Sequence, residues 1–488
     1  MAFDVYSYIR PMSKETPSFK PTLGLLDATM IVAGSMIGSG IFIVSTEMTT
    51  YVGSSGWLIL AWVLTGFLTL TAAVSYGELS SMFPKAGGQY VYLREAFNPL
   101  TGFLYGWSLF AVIQTGTIAA VGVAFSKFAA YLFPALGADV ILLDLGATDI
   151  SAAELVSMLL VVLLTYINTK GVETGKVLQT SFTLTKIVSL LGLIIFGFIL
   201  ASDSAIWNAN WSDPWMAKQW QIEGGNGFWS KVADAAIVPL FASALVGSIF
   251  SSDAWNNVTF IAGEIKRPEK NIGLSLFFGT LIVTIIYVAA NLMYLSVLDL
   301  EEIATAKDGR VSLAASLKIF GNAGTIVIAI MIMISTFGCN NGLILSGARV
   351  YYTMARDGLF FKKTGTLNKH NVPEFALWIQ CVWTCLLVLS GAYYELLTYV
   401  VFVVLIFYVL TLLGIFRLRA KRPDLPRPYK AWGYPVLPGI YCIIALAICA
   451  ALFWYRSSET WPGAIIVLLG IPLYYIAVAG KKKQTNKA

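Results

Sequence analysis

Gly38-Ser39-Gly40-Ile41-Phe42 breaks the first long hydrophobic stretch of this chain, residues 25–46, in its middle. A helix that only crosses a bilayer has no use for two near-adjacent glycines at mid-depth. Glycine costs about 1 kcal/mol against alanine in a helix interior. In lipid, an opened backbone persists only where protein or a watery cavity receives its polar groups. The stretch therefore reads as a broken helix that presents backbone N–H and C=O groups to a ligand. The competing reading makes Gly34 and Gly38 a small-residue packing face for a neighbouring helix. It accounts for Gly34 better than for the whole cluster.

The composition places the chain in a membrane. Of 488 residues, 57% are hydrophobic and 12% charged, against about 25% charged in a soluble domain. Mean hydropathy is +0.73. Residues 1–20 are polar and mixed in charge, so no cleavable secretory signal is expected. Cys339, Cys381, Cys385, Cys442 and Cys449 all fall in or near apolar stretches. That implies packing residues, not a disulfide framework.

Twelve segments are long enough to cross a bilayer, which takes about 20 apolar residues each. Segments 1 to 5 are 25–46, 56–83, 101–132, 153–169 and 177–201. Segments 6 to 10 are 235–256, 272–297, 323–347, 376–392 and 394–416, and segments 11 and 12 are 435–454 and 462–479. An even number puts both termini on one side. With the N-terminus inside, 25 Lys and Arg lie inside and 6 outside, while Lys127 and Lys186 lie within segments. The positive-inside rule then makes both termini cytoplasmic. No separate soluble domain is expected. The longest outside stretch, about 201–231, carries Trp207, Trp211, Trp215, Trp220 and Trp229. These read as an interfacial belt in preference to a lid over the outer mouth. Asn210-Trp211-Ser212 in this stretch is a formal glycosylation sequon, without meaning in a bacterial protein.

Segment 6 is interrupted too, by Phe250-Ser251-Ser252-Asp253-Ala254-Trp255 after Pro239 and Gly247. An Asp at the centre of a membrane helix costs about 2.5–3.5 kcal/mol. Segments 1 and 6 occupy corresponding positions if the first ten form two five-segment halves, and paired broken helices point to a transporter site at mid-membrane. The outer half-helix of segment 1 starts near Ile41. N–H groups around Ser39, Gly40 and Ile41 therefore lie at a helix N-terminus, which favours an anion. The inner half ends near Met36, whose carbonyl attracts a cation. Segment 6 adds carbonyls near Phe250, Ser251 and Asp253. Donors and acceptors so close together suit a zwitterion, an α-carboxylate beside an α-ammonium.

Several motifs carry a resemblance. Ile37-Gly38-Ser39-Gly40-Ile41-Phe42 resembles the first-helix signature of the amino acid–polyamine–organocation (APC) transporters. Tyr76-Gly77-Glu78-Leu79 and Pro84 to Tyr92 resemble the superfamily's helix 2–3 motif. Similarity is closest to the L-type amino acid transporter branch, in Ile167-Asn168, Gly171-Val172-Glu173, Gln179 to Lys186, and Trp255-Asn256-Asn257-Val258. It continues in Gly263 to Pro268, Phe337 to Gly342, Ala355 to Gly358, and Arg427-Pro428-Tyr429 through Pro438. The resemblance implies an all-α protein of twelve transmembrane helices with a LeuT-type inverted repeat. The halves would be 25–201 and 235–416, followed by two appended helices within 435–479 and flanked by cytoplasmic tails 1–24 and 480–488. It also implies sodium-independent amino acid exchange. Ser39 and Gly40 match backbone donors to the substrate carboxylate, and Met36 matches the carbonyl that receives the ammonium. Phe250 matches the gating aromatic, and Ser251 and Asp253 match carbonyl positions of the unwound helix. Two positions depart from the family: Ser252, often aromatic, and Ala254, often glycine. The alanine is expected to shorten the unwound stretch.

Lys186 lies within about 5 Å of the middle of segment 5, at about 1.5 Å per residue, and an ionisable residue there is a functional candidate. By resemblance it stands where sodium-coupled relatives hold a cation. It could brace the inner half of segment 1 or carry a proton, and a purely structural brace is the plain alternative. Asp253 either pairs with a cation or, as favoured here, caps a half-helix N-terminus near Trp255. Gln114, Thr117 and Asn340 either line the side-chain pocket, favouring a small neutral substrate such as alanine, serine or threonine, or hold helices together. Glu78 and Glu264 are expected to make inner-gate contacts with Lys or Arg, and His370 to be solvated.

A membrane enzyme is the competing class, but no H-E-x-x-H helix or phosphate loop is present. Gly171 to Lys176 has the wrong spacing for one. A channel would show a filter repeat or a charged ring. The reading is an amino acid antiporter of a bacterial inner membrane, with proton-coupled symport as the alternative. Its implied partners are a small-molecule amino acid and the lipid bilayer. No cofactor, metal, nucleic acid or covalently tethered subunit is expected.

Overall fold

The computed structural model describes residues 21–144, 149–171, 173–389 and 393–485, with backbone only for 173–181, 393–394 and 479–485. Arg10, Lys14, Lys20, Val172 and Lys487, and the side chains of Glu173 and Gln179, lie outside what is described. Ten helices among the described residues are long and apolar enough to cross a membrane, and two shorter apolar helices are Leu25–Met36 and Glu374–Val388. The chain is an all-α polytopic membrane protein.

Each segment read from the sequence contains a helix. Segment 1 is Leu25–Met36, then a 3-10 turn at Gly40–Phe42, then Val44–Val52. It outlasts the expected 25–46 and stops at Gly53, whose φ of 41° is the left-handed helix terminator. Segments 2, 4 and 7 are Ser55–Met82, Ala152–Thr169 and Pro268–Val297. Segment 3 spans Pro99–Leu132. It starts at Asn98, whose side chain accepts the Thr101 N–H, and passes through a π-helical stretch at Leu109–Ile113. Segment 8 is longer than expected, Val311–Arg356, with a kink at Gly321. The polar residues that blur its hydropathy at either end are helical too, those before Gly321 in a separate helical piece. Segment 10 is Tyr393–Lys421, segment 11 Val436–Tyr455 and segment 12 Ser457–Thr485.

Segments 1 to 4 pack on segments 6 to 9 in the same order. The outer half of segment 1 lies on segment 6, segment 2 on segment 7 and segment 3 on segment 8. Small residues allow the close approaches: a Cβ on Gly247 would meet Val44 and Met48 at 3.0 Å, and one on Gly66 would meet Thr284 at 2.2 Å. Leu159 and Leu163 of segment 4, Leu184 and Val188 of segment 5, and Leu468 and Leu469 of segment 12 stay exposed, the surface a bilayer would cover.

The tryptophan-rich loop departs from the belt reading. Lys218–Glu223 and Asn226–Lys231 form an antiparallel hairpin with Trp220 opposite Trp229, their rings 5.0 Å apart. The hairpin seats on segment 1: a Cβ on Gly53 would lie 2.5 Å from Trp229. Trp57 of segment 2 donates to the Trp215 carbonyl at 2.9 Å. The loop thus covers the ends of segments 1 and 2, with its backbone paired within the hairpin and the Trp220 and Trp229 rings packed on each other. The sequon is structural as well. Asn210 is buried, and its Nδ2 donates to the Leu295 and Leu298 carbonyls at 2.8 and 2.9 Å.

Candidate functional site

Both breaks are present and they touch. After Met36 the chain leaves the helix for three residues before the 3-10 turn at Gly40. The Gly38 N–H turns back to the Met36 carbonyl at 2.8 Å. Segment 6 is helical over Asp234–Ser251 and resumes only at Asn257. Gly40 packs directly on this second break: a Cβ there would lie 2.0 Å from Ser251 Oγ and 2.9 Å from Ser251 Cα. Only a residue without a side chain lets the two opened backbones meet. Ser39, Gly40, Ile41, Phe250, Ser251 and Asp253 are all buried, so polar groups here meet protein or a bound ligand.

Ala254 sits inside the second break. It takes the left-handed conformation, φ 63°, at a cost of about 1–3 kcal/mol for a residue with a Cβ. The stretch 252–256 is unwound despite the alanine. Asp253 overturns one expectation. It accepts the Tyr408 hydroxyl at 2.5 Å, while the short helix at Asn257 has Asn256 as its N-cap and no side-chain cap. The left-handed turn at Ala254 carries the carboxylate away from the helix start and towards segment 10.

Lys186 is fully buried, and its ammonium donates to the Gly34 carbonyl at 2.7 Å. One residue on, Cys339 Sγ donates to the Ser35 carbonyl at 3.4 Å, and a Cβ on Gly38 would meet the same sulfur at 3.0 Å. The inner half of segment 1 is thus held at its last turn by a lysine from segment 5 and a thiol from segment 8.

A third set of contacts was missed in the sequence. The Tyr287 hydroxyl reaches the Met36 carbonyl at 2.9 Å and the Ser251 carbonyl at 3.2 Å, bridging the two breaks. Asn291 accepts the Ser45 hydroxyl at 2.6 Å, and Tyr294 donates to the Ile41 carbonyl at 3.3 Å. The signal was available: Tyr287, Asn291 and Tyr294 stand at i, i+4 and i+7, one face of a helix. The Met36 carbonyl, assigned to an ammonium from the sequence, here receives a hydroxyl and an amide.

The family profile described as amino acid permease matches residues 23–477. The chain belongs to the amino acid permease family. It is similar to the serine/threonine exchanger SteT of Bacillus subtilis, 30% identical over 97% of this chain and 99% of that one. It is 29% identical to the large neutral amino acids transporter small subunit 2 of Homo sapiens, over 96% of this chain and 82% of that one. It is also 27% identical to the Asc-type amino acid transporter 1 of Mus musculus, over 96% and 84%.

Beside the segment 6 break this permease has a cavity lined by Thr117 and Gln114 of segment 3, Asp253 and Asn257 of segment 6, Leu343 of segment 8 and Tyr408 of segment 10. The π-helical stretch of segment 3 ends at its wall, as such bulges often do at functional sites. Gln114 also holds helices together, since its Nε2 donates to the Leu343 carbonyl at 2.7 Å. Thr117 returns its hydroxyl proton to the Ile113 carbonyl at 2.7 Å. Asn340 is fully buried with no hydrogen-bond partner for either amide atom, and it does not line the cavity.

Two buried carboxylates pair as the sequence reading expected. Glu78 receives Arg419 at 2.9 and 2.6 Å and the Ala431 N–H at 2.7 Å. Glu264 receives Arg349 at 2.7 Å, with the Arg349 side chain 2% exposed. These bonds tie segment 2 to segment 10 and the chain after segment 6 to segment 8. His370 is exposed.

Proposed function

We propose that this permease is a sodium-independent exchanger of small neutral L-amino acids that works by alternating access. One observation carries the reading: Gly40 of one broken helix seats on Ser251 of the other. Helix-start N–H groups at Ser39, Gly40 and Ile41 are thereby set beside the carbonyls that end two half-helices. The substrate carboxylate takes the donors, with the polarity of the helix terminus in its favour. The ammonium takes the Met36 and Ser251 carbonyls, displacing the Tyr287 hydroxyl that bridges them. Phe250 closes over the bound molecule. Lys186 supplies a fixed positive charge to the end of the inner half-helix, so no sodium ion is needed to hold it. The names of SteT and the Asc-type transporter, both similar along nearly the whole chain, support amino acids as cargo and transport as the activity.

In this reading the chain crosses a bacterial inner membrane twelve times with both termini cytoplasmic. Residues 25–201 and 235–416 form its two halves, and the packing of segments 1 to 4 on segments 6 to 9 supports that division. The Glu78–Arg419 and Glu264–Arg349 contacts then lie at the cytoplasmic end and close it. With its cysteines in helices, the permease works without a covalently tethered subunit.

The test is uptake of labelled serine into proteoliposomes. Exchange requires internal amino acid and is indifferent to sodium and to a pH gradient. Uptake into empty vesicles driven by a pH gradient would replace exchange with proton symport, and non-saturating current would indicate a channel.

A further inference from the structure

We infer that Asn257 and Asp253 form a side-chain subsite for a hydroxyl, so that the permease prefers hydroxylated small amino acids over aliphatic ones of the same size. This rests on the reading that the two breaks hold the zwitterion. Both residues line the cavity that opens from the segment 6 break. Asn257 is 3% exposed, and its Nδ2 has no hydrogen-bond partner.

Its polar neighbours are already engaged. Asn256 Nδ2 donates to Gln89 Oε1 at 3.0 Å, Gln114 to the Leu343 carbonyl, Thr117 to the Ile113 carbonyl and Tyr408 to Asp253. The cavity is left with an unspent amide donor on one side chain. On the other is a carboxylate that, when ionised, has about four lone-pair positions.

A hydroxyl is the small group that satisfies both at once, accepting from Asn257 Nδ2 and donating to Asp253. A methyl satisfies neither and leaves the amide buried and unpaired. A side-chain carboxylate meets Asp253 as a like charge. An ammonium pairs with Asp253 but turns its positive hydrogens on the Asn257 N–H groups. Threonine and serine fit this description; alanine, valine and 2-aminobutyrate do not.

The experiment compares serine with 2-aminobutyrate, which carries a methyl in place of the hydroxyl, as external substrates for proteoliposomes loaded with serine. Wild-type protein is expected to favour serine by roughly fivefold to tenfold in kcat/KM, the worth of one or two hydrogen bonds. Asn257→Ala and Asn257→Leu are expected to lower that ratio by a factor of two or more, about the worth of the lost hydrogen bond. Equal handling of the two substrates by wild type, or a ratio unchanged in Asn257→Ala, overturns the inference. So does transport of lysine in preference to serine. The wild-type comparison needs no variant, so poor expression of either one does not protect the idea. Failure of the wild type to exchange any amino acid would instead overturn the reading of the breaks, a different result from exchange without discrimination.

Discussion

Adding one methyl group at Gly40 should separate the two broken helices. The Cβ of Gly40→Ala would sit 2.0 Å from Ser251 Oγ, 2.7 Å from Ser251 Cβ and 2.9 Å from Ser251 Cα. Carbon atoms in contact sit about 3.5–4.0 Å apart, so the Cα alone demands an opening of more than half an ångström. The hydroxyl can rotate away; the Cα moves only if the break moves. Overpacking of this kind costs about 1–3 kcal/mol. Displacing positioned groups by about 1 Å can cost on the order of a hundredfold in rate. We expect Gly40→Ala to lower exchange at least about tenfold while the protein still folds and inserts. Ser251→Gly removes the Oγ and Cβ contacts and leaves only Cα, so the double variant should recover part of the loss. That makes the pair non-additive by about 1 kcal/mol or more. The assay is exchange of labelled serine in proteoliposomes, normalised to reconstituted protein, with melting in detergent as the folding control. Wild-type exchange by Gly40→Ala would refute the reasoning, as would equal damage whether residue 251 is serine or glycine.

Two further outcomes are expected. Lys186→Ala removes the cation from the Gly34 carbonyl and should abolish exchange while the protein still reaches the membrane; near-normal uptake by this variant would sink the role given to Lys186. Arg349→Gln leaves Glu264 with a buried charge and no guanidinium, a loss of about 3–5 kcal/mol for a fully buried pair. It should lower the melting temperature, and adding Glu264→Gln should restore part of it; a double variant no more stable than the single would show that the pair is not what matters.

The breaks were legible because the bilayer makes them expensive. Gly38-Ser39-Gly40 and Ser251-Ser252-Asp253 are local anomalies that no simple membrane helix tolerates, and each appears in the structure where the sequence put it. Lys186 was legible for the same reason: a charge at mid-helix requires a partner, and the Gly34 carbonyl is that partner. The tyrosine stripe of segment 7 was not read, because tyrosine and asparagine are unremarkable in a membrane helix until its rotation is known. Nor was the fate of Asp253. A carboxylate beside a half-helix suggests a cap, but the backbone turn at Ala254 aims it at Tyr408. The tryptophans of residues 201–231 looked like a belt because composition says where indoles are comfortable, not which loop folds onto which helix end.

By itself the sequence determined the membrane class, the helical segments, the two interruptions and the lysine at the middle of segment 5. Each follows from the energy of a residue in its own stretch of chain, and the bilayer makes those energies large. The tertiary structure decided that Gly40 lies against Ser251, that Tyr287 bridges the two breaks, and that Asn257 faces the cavity with its amide unspent. These depend on helix rotation and on contacts between residues more than 200 positions apart, as Gly40 and Ser251 are. The backbone of the breaks reads what all amino acids share; the side chains the fold brings to the cavity choose among them.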